Sequence, residues 1–211
     1  MTGAALCLVV LAAALASGGA APAATPGANG HLLIASGQRH AMALIAMQPR
    51  NNGDRLMLNY GADQGATYSP DGTRIAFMNN YDGDYEICVM NADGTGVEQL
   101  TKNSAVDAYP SWSPDSSKIA FTSNRDGDLD IYVMNANGSD QTNITSDDPS
   151  VDDFPRWSPD GRWILFIGEG AVCKVGGGAV LKRISPDGNT IVEIGKLPYC
   201  GCPFSIAPFN K

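Results

Sequence analysis

Short runs of apolar and polar residues alternate along the middle of the chain, and turn residues bound each run. In Arg74–Phe77 and Lys118–Thr122, large apolar side chains alternate with polar residues or alanine, as a β-strand with one buried face requires. Glu86–Met90 and Asp130–Met134 are rich in β-branched and apolar residues and follow at the same distance. The pattern therefore predicts an all-β fold built from short antiparallel strands.

The strands recur in groups, and each group begins with an aromatic residue followed by serine, proline and aspartate. This phrase occurs at Tyr68–Gly72, Trp112–Asp115 and Trp157–Gly161, so its aromatic residues are 44 and 45 positions apart. Proline fixes the backbone of a β-turn and aspartate bonds its own main chain, so the phrase predicts a turn between two strands. Four antiparallel strands in about 44 residues are the content of one propeller blade.

This phrase and the strands after it resemble the TolB-like β-propeller repeat family, whose blades carry a Trp-Ser-Pro-Asp-Gly signature followed by Ile-Ala-Phe and Asp-Ile-Tyr-Val-Met-Asn. The strands Ile119–Phe121 and Asp130–Asn135 match the same signature, and the resemblance covers residues 63–166. It implies a β-propeller of four-stranded antiparallel blades, placement in the cell envelope or outside the cell, and contacts with other proteins. Blades of this kind serve many functions, so the fold is implied more strongly than the activity.

We expect four blades, with a ring closed by pairing of the N- and C-terminal segments. Residues 31–59 have the pattern of a blade that lacks its inner strand, with Leu32–Ser36 as its second strand. The segment Pro203–Pro208 resembles an inner strand and could supply the missing one. Closure removes exposed strand edges, which invite aggregation. The alternatives are an open arc, or a ring completed by another copy, because relatives commonly have six blades.

The N-terminal residues predict export. Residues 1–30 carry no charged side chain, and Ala4–Ala16 is an apolar run of the length found in signal peptides. We assign residues 1–21 to a signal peptide, 22–30 to a linker and 31–211 to the propeller domain. The apolar run is too short to span a bilayer comfortably, so we expect a periplasmic or secreted protein without stable membrane insertion.

The net charge of −8 is unevenly distributed along the chain. Residues 63–160 hold eighteen acidic and five basic side chains, a net charge of −13. Such a surface repels phosphate backbones, so nucleic acid is not expected as a partner, whereas a cation or a basic protein face is compatible. Aspartate is also a preferred turn residue, and turn chemistry accounts for much of the acidity.

Three aspartates form the first candidate site. Asp63, Asp107 and Asp152 each lie five residues before the aromatic residue of their blade, so the repeat brings them to one rim near the central channel. Converging carboxylates suit a Ca²⁺ site or a receptor for a basic peptide. The structural alternative is that each aspartate caps its own interblade loop through backbone N–H groups.

A second acidic stretch, Asp126–Asp130, resembles the start of a calcium loop but lacks the later glycine and the terminal glutamate. A turn with acids bonded locally, with Arg125 as a partner, is the better interpretation. Nucleophilic hydrolysis has little support, because the chain has only His31 and His40 as histidines and no Gly-x-Ser-x-Gly segment.

The cysteines and the repeated aromatic residues have mainly structural interpretations. We expect Cys88 to be a small core residue, and export would permit a disulfide joining Cys173 to Cys200 or Cys202. Aromatic residues that recur once per blade could bind sugar or peptide, but packing between neighbouring blades explains them more simply. They are Tyr68, Trp112, Trp157, Phe77, Phe121 and Phe166.

Together these features predict an exported, non-enzymatic propeller that binds or scaffolds a protein or peptide, with no cofactor. The alternative is a metal-dependent propeller that binds or degrades glycans, for which the acidic residues would supply metal ligands. A decayed copy without a stable fold is a third hypothesis. The oligomeric state is not predicted by the sequence.

Overall fold

The computed structural model describes residues 32–38, 41–47, 55–60, 64–80, 83–146, 150–168 and 179–197. These residues form fifteen β-strands in four antiparallel sheets, and none of them is helical. The prediction of an all-β fold is therefore confirmed for the described part of the chain. Within it, no segment forms a helix with the length and hydropathy that crossing a bilayer requires.

Each sheet takes its strands in chain order. The first sheet contains β1 (Leu32–Gln38), β2 (Ala41–Met47) and β3 (Arg55–Tyr60). The second contains β4 (Gln64–Tyr68), β5 (Arg74–Asn79), β6 (Glu86–Asn91) and β7 (Glu98–Gln99). The third contains β8 (Asp107–Trp112), β9 (Lys118–Ser123), β10 (Asp130–Asn135) and β11 (Thr142–Asn143). The fourth contains β12 (Asp153–Trp157), β13 (Ile164–Gly168), β14 (Ala179–Ile184) and β15 (Ile191–Leu197).

The four sheets pack on one another in sequence, as blades do in a propeller. Strand β4 contacts β1 and β2 of the sheet before it, β8 contacts β4, β5 and β6, and β12 contacts β8, β9 and β10. The second, third and fourth sheets have the four antiparallel strands that the repeat predicts. Their first strands, β4, β8 and β12, each begin at the same end of the sheet, and we call this end the rim.

The Ser-Pro-Asp phrase forms a turn through the same contacts in every copy. In the third sheet the Ser113 hydroxyl donates to Asp115 Oδ1 at 2.6 Å and accepts from the Lys118 N–H at 2.9 Å. These contacts recur at Ser69, Ser158 and Ser185. The hydrogen bonds from Ser113 and Ser117 lower the pKa of Asp115. The aspartate thus stabilises the turn as a carboxylate, which confirms the turn predicted from this phrase.

The core lies between the sheets. Phe77, Phe121 and Phe166 occupy equivalent positions on the second strand of their sheets and are 0% exposed. Trp112 packs in the cluster between the second and third sheets, and Trp157 packs against the cluster between the third and fourth. The prediction that the aromatic residues pack between blades is confirmed for Trp112, Trp157, Phe121 and Phe166, whereas the described cluster around Phe77 and Tyr68 contains residues of the second sheet alone. Cys88 is buried at 7% exposure, as predicted for a core residue.

The expectation of one buried face per strand is wrong for the second strands of the sheets. In β9, Ile119 and Phe121 pack toward the second sheet, whereas Ala120, between them, packs toward the fourth. Both faces of the strand are therefore covered. The physical reason is that a blade in the middle of the stack has a neighbouring blade on each side. The large and small side chains that alternate along the strand therefore pack against two different blades, and neither face is exposed to solvent.

Several predictions fall on residues outside the described part of the chain. They are the signal peptide at 1–21, the linker at 22–30, the closing segment Pro203–Pro208, and the cysteines Cys173, Cys200 and Cys202. The number of blades and the closure of the ring stay predictions, as do the domain boundaries at residues 31 and 211.

Candidate functional site

Asp107, a predicted site residue, lies fully buried at the start of β8, where the second and third sheets meet. Its backbone N–H donates to the Tyr85 carbonyl of the previous sheet at 2.7 Å. Its Oδ2 atom accepts from Arg125 Nη2 at 2.8 Å and from Asn103 Nδ2 at 2.8 Å. The residue is 0% exposed. Asp107 therefore joins two sheets through its main chain and holds a guanidinium with its carboxylate.

Asp152 lies at the equivalent position between the third and fourth sheets. Its N–H donates to the Leu129 carbonyl of the third sheet at 2.7 Å, and its carboxylate accepts from the Ser150 hydroxyl at 2.7 Å. Lys182 Nζ lies 3.8 Å from Asp152 Oδ1 and donates to Ser150 at 2.7 Å, so the serine bridges the ion pair. In the fourth sheet a lysine from β14 thus takes the place of Arg125.

The three predicted aspartates are not all brought together within the described residues. Asp63 lies outside them, and the other two belong to successive blade junctions. Among the residues that the structure describes, no group of three or more His, Cys, Asp or Glu side chains is arranged to hold a metal ion. Asp107 and Asp152 each face a basic side chain, and the described bonds to their carboxylates come from side chains rather than from the backbone N–H groups of a cap. Calcium binding by the three aspartates stays a prediction.

Glu86 is a buried acid beside Asp107 that the sequence did not identify. Asn103 bridges the two, because its N–H donates to Glu86 Oε1 at 2.6 Å while its side chain donates to Asp107. Burial raises the pKa of Glu86, and the adjacent Asp107 carboxylate raises it further. Among the described residues, Asp107 Oδ1 has no hydrogen-bond donor, and the raised pKa of Glu86 favours a protonated carboxyl beside it.

The acidic stretch after β9 is held by side chains of the two strands that follow it in the same sheet. Asp126 accepts from the hydroxyl of Tyr132 and from Asn143 Nδ2, which also donates to Asp130 at 2.8 Å. The bond from Tyr132 lowers the pKa of Asp126. Arg125 directs its guanidinium to Asp107 rather than to these acids. The acids are thus bonded within the protein, but by side chains of β10 and β11 rather than by local amides, and Arg125 pairs with Asp107 instead.

Two aromatic residues at the rim have an unusual backbone conformation. Tyr109 in β8 and Phe154 in β12 have φ angles of 55° and 59°, a region that bulky residues rarely adopt. Both lie in the β-bulges where these strands lose register with their neighbours. Their rings pack together with centroids 4.3 Å apart. The two bulges therefore turn an aromatic pair, the Tyr109–Phe154 pair, toward each other across a blade junction.

The charges around this pair are partly buried. The Asp153 carboxyl accepts from Thr122 Oγ1 at 2.9 Å and from the Phe154 N–H at 2.7 Å. Burial raises the pKa of Asp153, and the same cause lowers the pKa of Arg156, whose positive charge acts on Asp153. Burial also raises the pKa of Tyr109, with smaller contributions from Asp153 and from Tyr85. The phenol of Tyr109 therefore stays protonated and able to donate a hydrogen bond.

Gly65 occupies the equivalent position in the second sheet. It lies three residues before the aromatic residue of the repeat, as Tyr109 and Phe154 do, and its φ angle is 61°. The row of three positions around the rim therefore contains a glycine, a tyrosine and a phenylalanine.

Sequence reasoning did not identify the Tyr109–Phe154 pair. A signal was present, because aligning the repeats shows an aromatic residue two positions after the aspartate and directly before a proline. Residues before proline are normally extended, so nothing in the sequence indicates a positive φ there. Neither the conformation nor the contact between the rings could be derived from the spacing.

This arrangement has the composition of a binding surface. Aromatic rings with a polar phenol present an apolar surface with a hydrogen-bonding group, which is the composition of many protein-binding surfaces. The buried acids nearby are engaged with Arg125, Lys182 or Arg156.

Comparisons with known proteins agree with this architecture. The sequence model described as "TolB beta propeller domain" matches residues 52–176, which is more than half of the chain. No curated protein sequence matches the chain significantly.

Solved structures have the same fold at low sequence identity. A protein described as a TolB from Agrobacterium tumefaciens has a TM-score of 0.65 at 24% identity, over 80% of this chain and 59% of its own. TolB from Acinetobacter baumannii has a TM-score of 0.67 at 20% identity, over 79% and 41%. An oligogalacturonate lyase in complex with manganese has a TM-score of 0.59 at 16% identity, over 78% and 44%. The chain spans less than two thirds of the length of each.

Proposed function

Since the chain belongs to the TolB beta propeller domain family, we propose that it is an exported, non-enzymatic binding module of the cell envelope or the extracellular space. Its partner is a protein or peptide, and the partner docks on the rim around the Tyr109–Phe154 pair. The apolar segment within residues 1–21 supports export. The N-terminus of the protein isolated from the envelope or the medium is then expected near residue 22.

The observation that carries this proposal is the conformation of the aromatic pair. Positive φ angles cost free energy in residues with large side chains, about 1 kcal/mol each. Folding alone gives no reason to place two such residues side by side in adjacent blades, because extended residues would continue the ladders of β8 and β12. Strained residues of this kind cluster at binding sites, where a fixed geometry is useful.

The proposal is tested by capturing the partner with the immobilised protein from envelope extracts and culture medium of the producing cells. A double variant, Tyr109→Ala with Phe154→Ala, is compared with Ile194→Ser, which removes an apolar side chain that is 50% exposed on the outer strand β15. We expect the wild type and Ile194→Ser to capture the same partner protein, and the double variant to capture none of it. Retention by the double variant at an unchanged melting temperature would contradict the proposal.

A metal-dependent activity on glycans is the second candidate, and the likeness to an oligogalacturonate lyase is the observation that favours it. The binding proposal and the enzymatic proposal differ in whether unsaturated sugar is released from oligogalacturonate. The binding module is expected to release no unsaturated sugar from oligogalacturonate with or without manganese, and to keep its partner in the presence of a chelator. Product formation that a chelator abolishes and manganese restores would replace the binding proposal with the enzymatic one.

A further inference from the structure

The hairpin turn between the third and fourth strands has the same backbone geometry in the second, third and fourth sheets. Each turn is closed by a hydrogen bond from the N–H of a glycine to the carbonyl three residues earlier, at 2.9 Å in every case. The glycines are Gly94, Gly138 and Gly188, with φ angles of 86°, 85° and 78°. A β-turn followed by a glycine in the left-handed region is a common hairpin connection. The three turns can therefore be compared residue by residue.

The residue before this glycine is an aspartate in two of the turns and an asparagine in the turn of the third sheet. Asp93 Oδ1 accepts from the Thr95 N–H at 3.0 Å, and Asn137 Oδ1 accepts from the Ser139 N–H at 3.1 Å. Asp187 takes the same place in the fourth sheet. Hydrogen bonds from the hydroxyl and the N–H of Thr95 lower the pKa of Asp93, so the turn stabilises a carboxylate at this position.

Asn137 has the surroundings of a reactive amide. The residue is exposed, and its Nδ2 atom donates no hydrogen bond within the described residues. Gly138 follows it, and a glycine has no β-carbon to shield its own main-chain nitrogen. Once the turn opens, that nitrogen can reach Cγ of Asn137 and close a five-membered ring.

We propose that Asn137 is a deamidation site, at which the turn of the third sheet acquires the aspartate that its two counterparts carry. The main-chain nitrogen of Gly138 forms a bond to Cγ of Asn137, and the side-chain nitrogen leaves as ammonia with the proton from the Gly138 N–H. Water then opens the cyclic imide. Attack on one carbonyl gives aspartate, and attack on the other gives isoaspartate, in which the main chain runs through the former side chain. The inference does not depend on the proposed function.

The folded turn restrains this reaction. The Gly138 N–H donates to the Asn135 carbonyl at 2.9 Å, and the Ser139 N–H holds Asn137 Oδ1. Both hydrogen bonds have to open before the nitrogen reaches Cγ, so the reaction in the folded protein proceeds through local opening of the hairpin. Two hydrogen bonds of ordinary strength make it roughly tenfold slower than in the unfolded chain.

The two products fit the turn differently. A Cβ atom built on Gly138 would lie 3.1 Å from the Leu100 carbonyl oxygen, so the main chain here lies close against the end of the second sheet. Gln141 Nε2 donates to the carbonyls of Leu100 and Gly138 at 3.2 and 3.0 Å and fixes this approach. Aspartate leaves the length of the main chain unchanged, whereas isoaspartate adds a methylene directly before Gly138. Isoaspartate is therefore expected to disturb the junction between the second and third sheets.

Asn135, two residues before the site, is an internal control in the same turn. Its Oδ1 atom accepts from Lys118 Nζ at 3.0 Å, and its Nδ2 atom donates to Asp140 at 2.6 Å. The next residue is Ala136, whose N–H donates to the Ser117 carbonyl at 2.9 Å. Both ends of the Asn135 amide are thus held, and the following nitrogen is engaged, so Asn135 is expected to keep its amide in the folded protein.

The test is incubation of the folded, full-length protein at mildly alkaline pH, with peptide mapping by mass spectrometry at successive times. The same chain unfolded in guanidinium chloride is incubated in parallel. Asn137→Gln is the blocked variant, because its longer side chain would have to close a larger ring. Asn137→Asp is the aspartate product made by mutation, and its melting temperature is compared with that of the wild type.

We expect an acid to accumulate at position 137 in the folded wild type, with one added negative charge per chain on ion exchange, and roughly tenfold faster in the unfolded chain. Asn135 should stay an amide in the folded protein, and Asn137→Gln should gain no charge at this turn. The Asn137→Asp variant should melt at or above the wild-type temperature, and the isoaspartate fraction below it. An amide that persists at Asn137 in the folded protein long after the unfolded chain has lost it completely would overturn the inference. A melting temperature of Asn137→Asp well below the wild type would also overturn it, because the turn would then reject the carboxylate.

Discussion

Asp107 is a buried acid whose main chain and side chain form hydrogen bonds with two neighbouring sheets. Its N–H reaches back to Tyr85 in the second sheet, and its carboxylate holds Arg125 and Asn103 in the third. The residue is 0% exposed, so its carboxylate is enclosed at the junction, where Oδ2 holds both donors. The contacts assign Asp107 to the junction between two blades.

Replacing Asp107 with alanine is therefore expected to destabilise the fold strongly. Arg125 would lose its carboxylate and Asn103 its acceptor, and breaking a buried pair from one side costs about 3 kcal/mol. The free energy of unfolding, measured in urea, tests this expectation. Asp128→Ala is the control, because this exposed acid lies at the same rim and surface changes alter stability by less than about 0.5 kcal/mol. A loss below about 1 kcal/mol in Asp107→Ala would favour a ligand-facing role instead.

Glu86 gives the same junction a dependence on pH. Its folded pKa is raised, first by burial and then by Asp107, so the folded state binds its proton more tightly than the unfolded state does. The stability contributed by this proton is complete below the unfolded pKa and is lost as the pH rises through the folded pKa. Glu86→Gln does not titrate, and it keeps one oxygen of the two that accept from Thr101 and Asn103.

The wild type is thus expected to lose stability relative to Glu86→Gln as the pH rises from mildly acidic to neutral. Urea unfolding of both proteins at several pH values from mildly acidic to neutral measures the difference between their free energies of unfolding. Parallel pH profiles for the two proteins would show that the pKa of Glu86 is not raised in the folded state.

Among the elements, the turns were the most predictable from sequence. Serine, proline and aspartate act within five residues of one another, and the bonds from Ser113 to Asp115 and from Lys118 to Ser113 are local. Local chemistry of this kind depends little on the rest of the fold. The same reasoning located the second and third strands of each sheet, because their apolar runs are bounded by such turns.

The bulges were not predictable, for the opposite reason. The positive φ angles of Tyr109 and Phe154 depend on how β8 and β12 meet the neighbouring sheets, and proline at the next position argues against them in isolation. The burial of both faces of β9 has the same origin, since it requires a blade on each side. Sequence therefore predicted the blades, whereas the candidate site arises at their junctions.

For the whole molecule, the first sheet is the point at which the propeller is incomplete within the described residues. Its strands β1, β2 and β3 correspond to the second, third and fourth strands of the other sheets, and β1 is at the edge. In the other three sheets, β4, β8 or β12 pairs with the equivalent second strand, on the side away from the third strand. A further strand is thus expected to pair with the free edge of β1, and an uncovered edge there would be prone to pair with another chain.

The segment Pro203–Pro208 is the candidate for this strand, and replacing residues 198–211 with a glycine-serine tail of the same length tests it. We expect the altered protein to melt at a lower temperature and to associate through β1, which light scattering on a sizing column and calorimetry would detect. The predicted pairing partner, Leu32–Ser36, provides a second variant. Ser36→Pro blocks one ladder position of β1, so it should lower the melting temperature of the wild type and limit the association of the altered protein. A monomer with an unchanged melting temperature after the tail replacement would show that residues 198–211 do not close the ring.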